Sequence, residues 1–316
     1  MPTQAQTMIE GMQSSWVVHR LSNNPIIRPE MLPAGDGGNI NGASLIRTPA
    51  WLPGRLGAYY LYFAHHRGQY IRLAYADRLD GPWTVHKPGT LSLNDAPACR
   101  DHVASPDVHV DEERREIRMY FHGPSRVTRG QKSYVALSSD GLVFAANAAI
   151  LGPFYFRVAR WRGQWVAMAK GGLVYLSNDG LSEFRPAAQS PFPLHDPKGN
   201  APGDVRHVAL QPDDRGLHVY YTRIGDCPEA ILRSYVYPDD PDMQTWRASK
   251  FEQVLAPKFD WEGADLPLRA SLSGASSGPE NALRDPAIHV EDGRTYLLYS
   301  VAGESGIAIA ELCGGP

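Results

Sequence analysis

Residues 284–310 contain the three apolar runs that decide the fold: Asp285-Pro286-Ala287-Ile288, Tyr296-Leu297-Leu298-Tyr299 and Ile307-Ala308-Ile309-Ala310. Aromatic and β-branched clusters bounded by turn residues predict β-strands. The unit therefore consists of a first strand opened by polar residues, an aromatic second strand and a third strand.

The same unit occurs four more times, at a spacing of roughly 50 residues, with first strands that begin near Asn41, Ser105, Tyr155 and Arg206. Repeated β-rich units of this length are typical of propeller blades. We therefore predict an all-β fold in one domain, a five-bladed β-propeller. The predicted blades are residues 41–95, 104–150, 155–200, 205–255 and 284–312, the last completed by residues 16–21.

The N-terminal strand is predicted to close the ring. The fifth copy ends after its third strand, whereas Trp16-Val17-Val18-His19-Arg20-Leu21 is a spare strand upstream of the first copy. Pairing this strand with the last blade would remove both exposed sheet edges.

Composition excludes several classes of function. A hydrophobic content of 43% and a net charge of −3 indicate a soluble globular protein with no general attraction to nucleic acid or anionic membranes. No apolar stretch is long enough to span a bilayer, and residues 1–15 lack the pattern of a secretory signal. The three widely spaced cysteines are interpreted as free thiols in a reducing compartment, so we expect a cytoplasmic protein.

Ionisable residues concentrate at one end of the predicted strands. In a propeller the start of each first strand and the end of each second strand meet at one mouth of the ring, whereas the other end here carries ordinary turn formers. The openings and closings carry Asn41, His65, His66, His102, Asp107, His122, Arg157, Lys170, Arg206, His207, Arg223, Arg284, Asp285 and Glu304. We therefore expect a functional site at this mouth.

Two sequence segments resemble those of the five-bladed propeller glycosidases, the glycoside hydrolases of families 43, 32, 117 and 130. One is residues 284–300, with Arg284-Asp285-Pro286 at its start, and the other is Leu73-Ala74-Tyr75-Ala76-Asp77 followed by Gly81-Pro82-Trp83. The resemblance implies a sugar substrate and three carboxylates at blade openings, one of them a Glu acid. This chain differs because Asn39-Ile40-Asn41 opens the first blade, where the resemblance implies an Asp.

Three carboxylates are the candidates for acid–base catalysis. Asp107 and Asp285 open the second and fifth blades, although each could instead brace the start of a strand. Glu262 lies beside Trp261 in a loop, an arrangement that would suit a sugar-stacking platform next to a proton donor. Glu304 is the rival acid.

Histidines provide a second set of candidates. His102 and His207 are expected to orient the carboxylates or replace the missing acid, and His65, His66 and His122 to bind substrate. The alternatives are hydrogen-bonding histidines in a polar pocket, or a divalent cation at the propeller axis. No local metal-binding spacing is present, so we predict no cofactor.

Five basic residues near the mouth leave the substrate class open. Several Arg or Lys side chains would suit an anionic group on the sugar, since Arg pairs with planar anions. Alternatively, each basic residue neutralises a nearby carboxylate. The set is Arg157, Lys170, Arg206, Arg223 and Arg284.

Together these features predict a glycoside hydrolase that acts on an oligosaccharide through carboxylate and histidine proton transfer. One alternative is a lyase acting on a uronate-containing glycan, in which Arg would neutralise the carboxylate and His or Tyr would remove the adjacent proton. A second alternative is a sugar-binding propeller without catalysis.

Overall fold

Five antiparallel sheets form the blades of a propeller in the computed structural model, which describes residues 16–314. Blade 1 contains β2 (Asn41–Arg47), β3 (Tyr59–Ala64), β4 (Arg72–Ala76) and β5 (Thr84–His86). Blade 2 contains β6 (Ala104–Asp111), β7 (Glu116–Pro124), β8 (Gln131–Ser138), β9 (Ala145–Ala146) and β10 (Gly152–Pro153). Blade 3 contains β11 (Arg157–Trp161), β12 (Gln164–Ala169), β13 (Leu173–Ser177) and β14 (Arg185–Pro186). Blade 4 contains β15 (Val205–Pro212), β16 (Leu217–Arg223), β17 (Ile231–Pro238), β18 (Trp246–Ala248) and β19 (Glu252–Leu255).

Blade 5 joins the two ends of the described chain. It contains β20 (Arg284–Glu291), β21 (Arg294–Ser300), β22 (Ile307–Gly314) and β1 (Trp16–Arg20). β1 pairs antiparallel with β22, with Trp16 opposite Gly314 and Arg20 opposite Ala310. The predicted five-bladed fold and its closure by an N-terminal strand are therefore confirmed. Residues 1–15, in which the sequence shows no signal-peptide pattern, lie outside the described residues.

Helical structure within residues 16–314 consists of five short 3-10 turns. They are Pro29–Met31, Asp36–Gly38, Leu93–Asp95, Lys170–Gly172 and Asp260–Glu262. None of these helices is long and apolar enough to cross a membrane.

Hydrogen bonds between neighbouring blades use the Asp-Gly turns. The hydroxyl of Tyr62 in blade 1 donates to the carbonyl of Gly141 in blade 2. The hydroxyl of Tyr120 in blade 2 likewise donates to the carbonyl of Gly180 in blade 3. Gly180 has a φ of +69°, and a Cβ at this position would lie 2.7 Å from the Tyr120 hydroxyl oxygen. The turn therefore requires glycine both for its backbone conformation and for the close approach of the tyrosine.

A β-bulge near the start of β20 places Asp285 at the mouth. The register of β20 against β21 shifts between Arg284 and Ala287, and Asp285 has a φ of +47°. β6 has the same shift between Ala104 and Asp107, with Ser105 at a φ of +48°. Bulges re-aim a side chain at the end of a strand. The residue equivalent to Asp285 is therefore Ser105, and the expectation that Asp107 and Asp285 occupy matching openings is wrong.

Glu262 is part of the ring closure and not the catalytic acid predicted from the sequence. Its carboxylate is fully buried, with Oε1 2.7 Å from Arg20 Nε and Oε2 3.1 Å from Arg20 Nη2. The Tyr299 hydroxyl and the amides of Lys258 and Phe259 also donate to it. A carboxylate saturated in this way has no oxygen left for a substrate.

We predict that Glu262→Ala lowers the free energy of unfolding by about 3–5 kcal/mol, because it leaves Arg20 without its buried partner. Urea denaturation would measure this loss as a lower transition midpoint. Asp80→Asn is the matched control, since it breaks the exposed Arg78–Asp80 pair and should change the midpoint far less. Equal shifts for the two variants would contradict the assigned role of Glu262.

Candidate active site

Asp285 lies buried at the mouth of the ring, between blades 4 and 5. Its Oδ1 lies 3.1 Å from Nε2 of His207, and the hydroxyl of Ser300 donates to Oδ2 over 3.3 Å. The backbone amide of Asp285 donates to Nδ1 of the same histidine over 3.4 Å. Because Nδ1 accepts, the proton of neutral His207 resides on Nε2, the nitrogen that lies beside the carboxylate. Burial lowers the pKa of His207 well below its ordinary value, which keeps the ring neutral.

Glu304 provides a second buried carboxylate near Asp285. It lies in the connection between β21 and β22, where Ala302 and Gly303 adopt φ values of +46° and +77° to turn the chain. Asn39 and Asn41 donate side-chain amide hydrogens to Oε2. The backbone of the same connection is tied to blade 1, because the amide of Ile40 donates to the carbonyl of Glu304 over 2.7 Å.

The two carboxyl groups have pKa values displaced in opposite directions. Burial, with repulsion from Glu304, raises the pKa of Asp285 to about 6. Burial also opposes ionisation of Glu304, but interactions with His66, Arg284 and Asn39 outweigh it and lower the pKa of Glu304 to about 2. Two acids whose environments separate their pKa values are the usual arrangement for one proton donor and one permanent anion.

Glu229 and Glu280 neutralise the basic residues behind this pair. The Glu229 carboxylate lies 3.1 Å from Arg206 Nε and accepts from Arg284 Nε over 2.9 Å, whereas Glu280 accepts from Arg284 Nη2 over 2.5 Å. Arg284 Nη1 lies 3.6 Å from Glu304 Oε1, so one guanidinium contacts three carboxylates. Arg206 also donates to the carbonyls of Leu272 and Gly274, which anchors the loop preceding blade 5.

Aromatic and imidazole rings form the opposite side of the mouth. His102 Nε2 lies 3.1 Å from Gln131 Oε1, and its ring is edge-on to His122 at 6.3 Å. The Tyr155 ring lies between His122 and His207, with centroids at 5.5 Å and 5.3 Å, and its hydroxyl donates to the Arg206 carbonyl. Burial lowers the pKa of His122 well below its ordinary value. The His122 and Tyr155 rings are buried and pack against each other, whereas His102 is partly exposed.

Asp107 lies deeper along the propeller axis than Asp285. Its Oδ2 accepts from the Val158 amide over 2.7 Å and contacts His109 Nε2 at 2.9 Å, while Arg157 Nη1 lies 3.6 Å from Oδ1. Burial alone would raise the pKa of Asp107, but His109 and Arg157 outweigh it and lower the pKa. Asp107 and Arg157 both line an axial cavity of about 270 Å³. The hydrogen bond from the Val158 amide joins Asp107 of blade 2 to blade 3.

The remaining predicted residues differ in their surroundings. Lys170 donates to Asn200 over 2.5 Å, and burial, with repulsion from Arg206, lowers the pKa of Lys170 to about 8. Arg223 pairs with Asp226 at 3.1 Å, and His65 Nδ1 accepts from a backbone amide. Trp261 stacks on Phe259 at 5.6 Å and packs against the core between blades 4 and 5, so the predicted platform beside a proton donor is wrong for this loop.

A metal site is not evident within residues 16–314, where no group of three or more His, Cys, Asp or Glu side chains is arranged to hold an ion. The expectation of no cofactor stays a prediction.

Sequence comparison places the chain in a family. It is 36% identical over 323 residues to "Uncharacterized protein R118" of Acanthamoeba polyphaga mimivirus, an alignment that covers 93% of this chain and 90% of R118. The chain belongs to the R118 family. No protein-family model matches it.

Solved structures similar to this R118-family protein include glycoside hydrolases. A thermostable family-43 glycoside hydrolase matches with a TM-score of 0.58 at 15% identity, over 89% of this chain and 91% of the other. A structure of the GH130 family, described as mannoside phosphorylases containing hydrolases that target β-1,2-mannosidic linkages in Candida mannan, matches with a TM-score of 0.65 at 11% identity, over 94% of each chain. The predicted resemblance to the propeller glycosidase fold is therefore confirmed.

Several residues that surround the carboxyl pair were not among the sequence candidates. Glu229 and Glu280 lie outside the strand openings, so the propeller pattern did not identify them. Asn39 was identified with Asn41 as the opening of the first blade, and both side chains donate to Glu304. Aligning Pro106 with Pro286 would have matched Ser105 with Asp285, which is the one sequence signal for the displaced position of Asp107.

We predict that Glu304→Gln lowers the pKa of Asp285, because the substitution removes a negative charge that raises it and leaves Arg284 with one fewer anionic partner. Carbon-13 NMR of the aspartate carboxyl groups would follow the titration, with Asp285→Asn used to assign the signal. In the unsubstituted protein Asp285 should titrate near pH 6. An unchanged or higher value in Glu304→Gln would contradict the coupling.

Proposed function

We propose that this R118-family protein hydrolyses a glycosidic bond of an oligosaccharide, with Asp285 as the proton donor to the leaving oxygen. The observation that carries this proposal is the buried Asp285–Glu304 pair, in which one carboxyl has a raised pKa and the other a lowered pKa. Hydrolysis of a glycoside requires a protonated acid beside a charged group that favours the cationic transition state. The shared fold with glycoside hydrolases supports the same reaction class.

The immediate surroundings assign a role to each neighbour of Asp285. Nε2 of His207 lies 3.1 Å from one carboxyl oxygen of Asp285 and the Ser300 hydroxyl donates to the other, so the acid is oriented before substrate binds. Arg284 balances the charge of Glu304 and keeps a fixed anion in a buried position. The partly exposed ring of His102 would then contact the sugar, with the buried rings of His122 and Tyr155 packed beside it.

The sugar next to Asp285 is proposed to be neutral. Arg157, Arg206 and Arg284 already contact carboxylates of the protein, so they are not needed to balance a charge on the substrate. Lys170 is the member of the basic set that donates to neutral side chains, those of Asn200 and Ser273. An acidic substituent, if the substrate carries one, would bind at Lys170.

We predict that Asp285→Asn lowers kcat/KM on an oligosaccharide by about 10²–10⁴-fold, the usual cost of removing a positioned acid. A panel of oligosaccharides, assayed for new reducing ends, would first identify the substrate. Asp292→Asn is the matched control, because Asp292 is an exposed turn residue at the other end of the same β-hairpin. Activity of Asp285→Asn near that of the control would overturn the role of Asp285, and an unsaturated product absorbing in the ultraviolet would replace hydrolysis with the lyase reaction.

The pH dependence gives an independent test. Asp285 is protonated below its pKa of about 6, so kcat/KM should decrease as the pH rises through this value. Glu304, with a pKa of about 2, remains ionised near neutral pH, so its own titration does not change kcat/KM there. In Glu304→Gln the decrease should move to lower pH, and a kcat/KM that does not fall as the pH rises above about 6 would contradict the assignment.

A further inference from the structure

His66 is the most accessible ionisable group in contact with the buried pair. Its side chain is 36% exposed, compared with 1% for Glu304, 4% for Asp285 and 9% for His207. A proton exchanged with a water molecule in the mouth therefore reaches His66 more easily than it reaches either carboxyl group.

The orientation of His66 is set by the same residues that hold Glu304. Its backbone amide donates to Asn39 Oδ1 over 2.8 Å, and its ring Nδ1 lies 3.6 Å from Glu304 Oε2. This distance exceeds an ordinary hydrogen bond of about 2.9 Å, but catalytic hydrogen bonds commonly shorten when substrate binds. Within residues 16–314 no protein group hydrogen-bonds to Nε2 of His66, which leaves that nitrogen for a ligand.

Charged and titratable groups from four blades interact electrostatically with His66 or with its partner Glu304. They are Glu304, Arg284 and Asp285 from blade 5, His207 from blade 4, His102 and His122 from blade 2, and His65 from blade 1. His66 is thus electrostatically coupled to groups that several blades contribute to the mouth.

Glu304 is poorly suited to act on substrate directly. Its Oε2 already accepts from Asn39 and Asn41, and its side chain is 1% exposed. A carboxylate with a pKa of about 2 is also a weak base. Its carboxylate, 3.6 Å from Nδ1 of His66, can instead hold the imidazole ring with Nδ1 facing Glu304.

We propose that His66 is the general base of the reaction and that Glu304 is its positioning partner, so that the two form a Glu–His dyad opposite the acid Asp285. This inference rests on the proposed function. Nε2 of His66 takes a proton from water as the water oxygen bonds to the anomeric carbon, while Asp285 gives its proton to the leaving oxygen and the glycosidic C–O bond breaks. One water is consumed, and the proton on His66 returns to Asp285 through solvent.

This assignment has a stereochemical consequence. Direct attack by water on the face opposite the leaving group inverts the anomeric configuration. Proton NMR of the first-formed product should therefore show the inverted anomer. Retention would mean that a carboxylate attacks the sugar, and it would overturn the role of His66 while the proposed hydrolysis stands.

Leaving-group chemistry separates the acid from the base. Nitrophenolate leaves readily and needs little protonation, so Asp285→Asn should lose much less activity on a p-nitrophenyl glycoside of the same sugar than on the oligosaccharide. His66→Ala should lose about 10²–10⁴-fold on both substrates, because both need an activated water. Added imidazole should restore part of the activity of His66→Ala, and His19→Ala, a change at an exposed strand position, serves as the control.

A spectroscopic measurement tests the dyad without turnover. Nitrogen-15 NMR at neutral pH should find the proton of His66 on Nδ1, facing Glu304, and the Nδ1 population should fall in Glu304→Gln. Activity of His66→Ala within about threefold of that of the unsubstituted protein would overturn the dyad. A His66 tautomer that is unaffected by Glu304→Gln would overturn it as well. Failure of the protein to hydrolyse any glycoside in the panel would overturn the proposed function itself, even where the NMR result is as expected.

Discussion

Closure of the ring by β1 is the constraint on which the rest of the structure depends. The pairing of Trp16–Arg20 with β22 supplies the outer strand of blade 5, and Arg20 carries the ion pair with the buried Glu262. The carbonyl of Glu262 accepts from the amide of Ala302, two residues before Glu304. The Arg20–Glu262 pair that closes the ring therefore also supports the chain segment that bears Glu304, one of the two site carboxylates.

The mouth combines two chemically different halves. Blades 5 and 1 contribute the charged half, where Asp285, Glu304 and Arg284 lie in a protein interior that strengthens their interactions. Blades 2 and 3 contribute His102, His122 and Tyr155, which burial favours in their neutral forms.

Buried charge is tolerated here because it is shared among several partners. Arg284 contacts Glu229, Glu280 and Glu304, so removing one carboxylate would leave the guanidinium with two others. Such a network costs desolvation energy that apolar residues would avoid. Its benefit is a fixed negative charge at Glu304, which raises the pKa of Asp285 and orients the groups around His66.

The sequence by itself determined the five blades, the closing strand and the concentration of ionisable residues at one mouth, because strand periodicity and turn residues are local signals. Tertiary structure decided which carboxylates share a site. β6 and β20 carry the same bulge, which gives the position of Asp285 to Ser105 and not to Asp107, and a turn with fully satisfied hydrogen bonds placed Glu262 against Arg20. Glu229 and Glu280 reach the site from outside the strand openings, a proximity that has no local pattern in sequence. The pKa values of Asp285 and Glu304 depend on burial and on charges distant along the chain, so only the folded ring could displace the two values in opposite directions.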